Sequence, residues 1–429
     1  MPRGRGLPCV RALASTRAAV HHAAVSTRAC LILALVTLAG CGDARETGRW
    51  LEEPREIAAP AGAGSRYPHL AGGQGLPVVM SWLEPDAAAG YALRQATWSG
   101  GAWQAAGTVA RGDDWFINWA DFPSVVPVGA TTWAAHWLEQ RPGSVYSYDV
   151  RIAVSRDAGA SWLAAISPHD DGTPTEHGFV SLFGWNGAGA VWLDGRHTDG
   201  GHDHESGAGG AMTLRGAALA EDGRRAGDDV EIDARVCDCC QTDVALTDEG
   251  PVAVYRDRGE DEVRDIALVR QTDGRWSAPV RVHADGWRIE ACPVNGPAVD
   301  ARGSTVVVGW FTAADVPRVR VAFSEDAGRT FAPPVEVASG GVAGRVDVVL
   351  LDDGRAVVSW LQQSSSGAEI RAQPFTRSAA AGAAALIART SVQRSSGFPQ
   401  MVRAGDGLLF AWTASGDPPR VRTAYARLH

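Results

Sequence analysis

One pattern recurs seven times along this chain and restricts what it can become. A short apolar strand ends in an aromatic residue, and a polar loop follows. The instances are VVMSWLEP at Trp82, WAAHWLEQ at Trp137, GAVWLDGR at Trp192, VAVYRDR at Tyr255, VVGWFTA at Trp310, VVSWLQQ at Trp360 and LLFAWTA at Trp412. Their spacings are 55, 55, 63, 55, 50 and 52 residues. Repeats of this length, each holding several strands, predict a β-propeller. Fifty glycines, 16 tryptophans and only four methionines suit an all-β protein rich in turns.

Each repeat divides into four strands. An inner strand lies near a Pro or Asp, as in YPHLAG, DFPSVVPV, TDVALT, GPAVDA and FPQMVRAG. The aromatic-ended strand is second. The third reads like RIAVSRD, DIALVRQ or VRVAFSED, and the fourth follows a tight turn, as in RWSAPVRV and FAPPVEV. The last repeat stops at its third strand, VRTAYARLH. TGRWLEEPREI (Thr47 to Ile57) resembles DGRWSAPVRV (Asp273 to Val282) and is expected to supply the missing fourth strand. Ring closure of this kind removes unpaired sheet edges. The expectation is a single seven-bladed propeller over residues 41–429, closed by the strand at 47–57.

The first 40 residues read as an export signal. Arg3, Arg5, Arg11, Arg17 and Arg28 precede ACLILALVTLAG, an apolar run too short to span a bilayer. It ends in LAGC, Leu38 to Cys41, which resembles the bacterial lipoprotein cleavage box. That resemblance implies lipidation at Cys41 and anchoring to a membrane of the cell envelope, in the periplasm or at the outer membrane. Net charge is −9 with no basic patch in the mature part, which argues against a nucleic-acid partner. A monomer is expected.

Two turns between third and fourth strands, SRDAGASW (Ser155 to Trp162) and SEDAGRTF (Ser324 to Phe331), fit S-x-D-x-G-x-[ST]-[WF]. This resembles the Asp box of bacterial sialidases and related propellers, with weaker copies at TDGRW and WSGGAW. Sialidases have six blades, so a six-bladed ring is the alternative to the repeat count. The resemblance implies a glycan or small anionic ligand and, in its enzymatic form, an exo-sialidase-like glycoside hydrolase that needs no cofactor. Sialidases hold a carboxylate with arginines and use a Tyr nucleophile with an Asp acid/base. Their Phe/Tyr-Arg-Ile-Pro motif is only echoed here by RYPHL, Arg66 to Leu70.

Strand direction sends the second-to-third loops and the lead-ins to inner strands to one face. There the chain places WFINWADFP, RVCDCCQTD, WRIEACPVNGP, DGRHTDGGHDHESG and YRDRGEDEVRD. Convergence of such loops is the usual geometry of a ligand mouth. The candidate ligand residues are Arg256, Arg264, Arg196, Trp115, Trp119, Asp121 and Asn295. The candidate catalytic residues are Asp257 and Asp194 as acid/base and Tyr255 as nucleophile. Glu84, Glu139, Asp194 and Asp257 each stand two positions after the aromatic, as solvated strand ends or as a carboxylate cluster. His197, His202, His204 and Glu205 read as a surface loop or as a zinc or copper site. His136 and His177 read as packed side chains.

Four cysteines remain in the mature chain: Cys237, Cys239, Cys240 and Cys292. They lie on the lead-ins to two successive inner strands, so all four thiols can meet. Three readings stay open. An exported protein favours disulfides, although adjacent Cys239 and Cys240, with Cα atoms ~3.8 Å apart, would bond under strain. A cluster of thiolates suits a soft metal, copper or zinc. A redox-active thiol is the third reading.

Overall fold

The computed structural model describes residues 49–198 and 210–429. The repeats fold into seven sheets arranged as the blades of a β-propeller, so the six-bladed alternative falls away. Among the described residues the helical content is one turn at Arg394–Ser396. The inner strands, first blade to seventh, are Arg66–Gly73, Ser124–Pro127, His177–Gly184, Asp243–Thr247, Ala298–Arg302, Val342–Leu350 and Gln400–Ala404. The second blade has three strands, and Ile166 bridges to Ile152 along its outer edge. In the seventh blade the outermost strand is Arg55–Ile57, antiparallel to Arg420–Arg427 with Arg55 opposite Tyr425.

The second strands explain the recurring sequence pattern. Ala188–Asp194 and Gly250–Arg256 are buried at every position, because a neighbouring blade covers each face. Alternation therefore disappears, and β-branched and aromatic residues fill the run. Trp82, Trp192 and Trp310 lie fully buried between blades. A buried indole N–H needs an acceptor. Trp192 donates to Asp194 at 2.8 Å, Trp137 to Glu139 at 3.3 Å and Trp360 to Gln362 at 3.1 Å. The polar residue two places after the aromatic is thus an indole acceptor in three blades. In the first blade Glu84 turns to the Gly62 N–H and the Arg94 guanidinium instead.

Aspartates join neighbouring blades near the axis. Asp121, Asp243, Asp300 and Asp347 each accept a backbone N–H from the next inner strand: Phe179 at 2.8 Å, Val299 at 2.7 Å, Leu350 at 2.7 Å and Met401 at 2.6 Å. All four line a central cavity of about 290 Å³. Burial disfavours their charged forms and outweighs the N–H bonds. It raises Asp243 to about 8, Asp121 and Asp347 to about 7 and Asp300 to about 6.

The two S-x-D-x-G turns share one geometry. Ser155 and Ser324 donate to Asp157 and Asp326 at 2.8 and 2.7 Å. Each aspartate also accepts the backbone N–H four residues on, from Ser161 or Thr330, at 2.8 Å. Gly159 and Gly328 sit at φ 81°, where a side chain would be strained.

Candidate functional site

The residues chosen from the sequence for a substrate carboxylate do not face an open pocket. Arg196 grips Asp194 with a two-pronged fork, 2.8 and 2.7 Å, and reaches Asp229 at 3.1 Å. Arg256, 1% exposed, donates to the carbonyls of Asn295 (2.7 Å), Arg264 (2.7 Å) and Phe311 (2.8 Å). Its guanidinium also lies 4.8 Å from the Trp287 ring. Asp194 is fully buried between Trp192 and Arg196, so it cannot exchange a proton with a ligand at the mouth. Tyr255 is buried and donates to Asp233. Asp257 is half-buried, accepts the Arg258 N–H at 2.7 Å, and is raised by burial.

The other predicted ligand residues also join blades. Asp121 is the Phe179 acceptor described above. Asn295 accepts the Arg345 N–H at 2.8 Å. Trp115 is buried and packs 5.8 Å from Trp137. Trp119 stacks on Phe398 at 5.6 Å beneath the Arg345 guanidinium at 5.0 Å. Trp115 is covered by protein, whereas Trp119 is only half-buried.

His177 belongs to a buried charge network between the second and third blades. Its ring stacks on His169 with centroids 3.8 Å apart, and Asp171 Oδ1 lies 3.2 Å from a nitrogen of each. His177 Nδ1 faces the Tyr148 carbonyl at 3.2 Å, so both its nitrogens meet acceptors, which favours the imidazolium. Burial works against that charge, but Asp171, Asp194 and Asp149 raise the pKa overall. His169 instead accepts the Val150 N–H at 3.3 Å, and burial keeps it neutral. Every ring nitrogen has a partner without a metal ion. Of the histidine loop, His197 approaches Glu231 at 3.6 Å. His202, His204 and Glu205 lie outside the described residues, as does Cys41.

The cysteines form the unusual site. Val236 bridges to Asp257, and the Cys237 N–H donates to the Arg256 carbonyl at 3.0 Å, so the lead-in lies along the end of a central strand. The chain then turns at Asp238 and Cys239, and three sulfurs point inward together. Cys237 Sγ is 3.8 Å from Cys239 Sγ and 3.6 Å from Cys240 Sγ. A disulfide needs ~2.05 Å, and none of the four described cysteines, Cys292 included, is in one. Sulfurs bound at ~2.3 Å to one ion would stand roughly 3.8 Å apart around a tetrahedral ion and about 4.0 Å apart around a planar three-coordinate one. All three are buried, with Val294 packed against them. Gly296 lets that loop approach, because a Cβ there would fall 2.2 Å from the Gln241 carbonyl oxygen.

Arg264, also 1% exposed, supplies the charge. Its Nη1 donates to Cys237 Sγ at 3.3 Å and lies 3.3 Å from Asp238, and its Nη2 holds Glu262 at 2.8 Å. Burial alone would push the Cys237 thiol up. Hydrogen bonds from Cys239 and Cys240, and the guanidiniums of Arg264 and Arg256, pull it well below the usual thiol value. Cys239 and Cys240 are pushed up, Cys239 by donating to its sulfur neighbours and Cys240 mainly by burial. These contacts favour a thiolate on Cys237, held by two thiols and a guanidinium. Cys292 is exposed and lies with Asp238 and Cys239 in a second, overlapping group of ligand atoms. Thus Arg256, Arg264, Asn295 and the cysteines do converge, but on one another. Sequence reasoning missed Asp238, inside the CDCC run, and Glu262, two residues before Arg264.

The fold and site define a seven-bladed propeller with a buried thiol cluster beside its mouth. No family model matches the chain, and no curated protein sequence matches it. Solved structures similar to it include a protein of unknown function from Dyadobacter fermentans, 13% identical, with 89% of this chain and 99% of that one covered and a TM-score of 0.49. Trypanosoma rangeli sialidase in complex with the inhibitor DANA is 13% identical, with 77% and 56% covered and a TM-score of 0.46. The α-L-arabinofuranosidase Arb93A from Fusarium graminearum is 13% identical, with 72% and 92% covered and a TM-score of 0.44. At these identities the likeness is one of architecture.

Proposed function

We propose that this protein binds a soft metal ion, copper(I), through Cys237, Cys239 and Cys240, as a non-catalytic propeller of the bacterial cell envelope. The sulfur spacing of 3.6 and 3.8 Å carries the reading, since it suits one ion bound by all three thiolates. Structural zinc sites almost always take four ligands. Here Cys292 groups with Asp238 and Cys239 rather than with the buried three. Copper(I) is satisfied by three thiolates. One copper(I) and three thiolates leave two excess negative charges, and Arg264 and Arg256 stand beside them.

The reading is tested by reconstituting reduced protein without oxygen, dialysing, and measuring bound metal. One copper per chain is expected. It should be lost in Cys237→Ser and Cys240→Ser while the far-ultraviolet circular dichroism is unchanged. Retention of zinc in preference to copper, or of neither, would overturn it. The glycan reading rests on the polar loops of the mouth, and its arginines are committed to internal partners. The LAGC stretch supports placement at a membrane surface, and Cys41→Ser should move the protein from the membrane to the soluble fraction.

A further inference from the structure

The buried thiol set has an outer neighbour that shares one of its members. Cys237, Cys239 and Cys240 form the inner group. Asp238, Cys239 and Cys292 form the outer one, their ligand atoms all within 4.8 Å of one another. Cys292 Sγ lies 3.9 Å from Asp238 Oδ1. The two groups differ in access, since the inner thiols are buried and Cys292 is exposed. Cys239 belongs to both.

We propose that copper(I) enters and leaves through the outer group, and that Cys239 passes it between the two. This rests on the metal reading above and adds a route to it. A buried site closed by Val294 and Arg264 cannot admit a hydrated ion, or one still wrapped in a donor's ligands. Stepwise exchange avoids releasing a bare ion. The copper–donor bonds break as bonds to Cys292, Cys239 and Asp238 form, and the protons of the two thiols pass to the departing donor or to water. The bonds to Cys292 and Asp238 then break as bonds to Cys237 and Cys240 form. Cys237 binds as a thiolate, and the Cys240 proton passes to the released Cys292. Copper stays copper(I) throughout, so no oxidant or reductant is required. Asp238 adds a hard, weak ligand to the outer station, which favours onward movement to the all-sulfur set. Arg264 contacts both Asp238 and Cys237, at 3.3 Å each, and so spans the route.

The experiment is stopped-flow transfer of copper(I) from a coloured bicinchoninate complex to reduced protein, followed by loss of the chelate's absorbance. Equilibrium loading is measured in the same samples. Cys292→Ser alters an exposed side chain and should fold normally. It should still take up one copper per chain, with an uptake rate lower by about tenfold or more, against an affinity change below the ~10-fold typical of a lost outer-shell partner. Cys240→Ser should lose the tightly bound ion altogether. Wild-type rates in Cys292→Ser would overturn the route. Loss of the ion at equilibrium in that variant would overturn it too, by making Cys292 a permanent ligand. No uptake by the wild-type protein would instead sink the metal reading itself.

Discussion

Removing the guanidinium from Arg264 should raise the Cys237 thiol. Arg264→Met keeps most of the buried aliphatic volume and deletes the donor 3.3 Å from the sulfur. A hydrogen bond to a charged group contributes ~1.5–3 kcal/mol. At ~1.4 kcal/mol per pKa unit, that is a rise of one to two units. Two S–H donors, Cys239 and Cys240, remain and limit the change. Glu262 keeps Arg258 as a partner at 2.7 Å, and Asp238, which loses the guanidinium, keeps the Cys292 thiol at 3.9 Å and some solvent access, so the fold should survive. Thiolate absorbance in the ultraviolet, followed against pH in reduced protein, reads the effect. The wild-type protein should show one thiolate persisting well below the ordinary thiol range. Arg264→Met should move that step upward by one to two units, and Arg264→Lys, which retains the charge, should move it less. An identical titration in all three proteins would refute the account of how this thiolate is held.

Other expectations follow from the same contacts. The axial aspartates have folded pKa values of about 6 to 8, above the ~4 of an unfolded chain, so the folded state binds more protons between those limits. Stability contributed by these protonated groups is therefore lost as pH rises through that window, and His177, raised on folding, acts in the same direction. Between about pH 5 and pH 8 these groups pull the urea midpoint down, against Cys237, His169, His69 and His136, whose pKa values fall on folding. Asp347→Asn should therefore shift the slope of midpoint against pH upward relative to the wild-type protein, and an unchanged slope would contradict the reasoning. Gly296→Ala forces a Cβ within 2.2 Å of the Gln241 carbonyl oxygen and should destabilise by about 1–3 kcal/mol in chemical denaturation while weakening copper retention. Copper loading should release protons, because Cys239 and Cys240 are held protonated at rest, so apparent affinity measured by chelator competition should rise with pH.

The architecture was legible because a strand buried on both faces leaves a strong mark. The seven aromatic-ended strands all became second strands, and DVALT, AVDAR and QMVRA became inner strands. The mouth was less legible, since a polar residue at a strand end reads the same whether it meets water or a partner inside. Asp194 and Glu139 looked like a rim of acids, and they are acceptors for the tryptophans two places earlier. Gln362 does the same work without a charge, and Trp360 before it was the available clue. Arg256 looked like a ligand clamp, yet its partners are carbonyls of its own repeat and the next one, which spacing cannot reveal. The cysteine run announced itself by composition. Its state depended on sulfur distances that only folding sets.

The ring's last joint has a consequence for timing. Glu56 and Arg422, which meet at 2.7 Å on that seam, are 366 positions apart in the chain. Nearly the whole polypeptide must be made before the first described residues find their partners, and contacts so remote form late. During synthesis and any passage across a membrane, the growing molecule is a row of blades still waiting for its end. The joint is short, the strand Arg55–Ile57 with backbone bonds at Trp50–Glu52 beside it, so it is also where the circle should first come apart. Amide exchange along Arg420–Arg427 would then report the opening of the whole ring before any single blade unfolds.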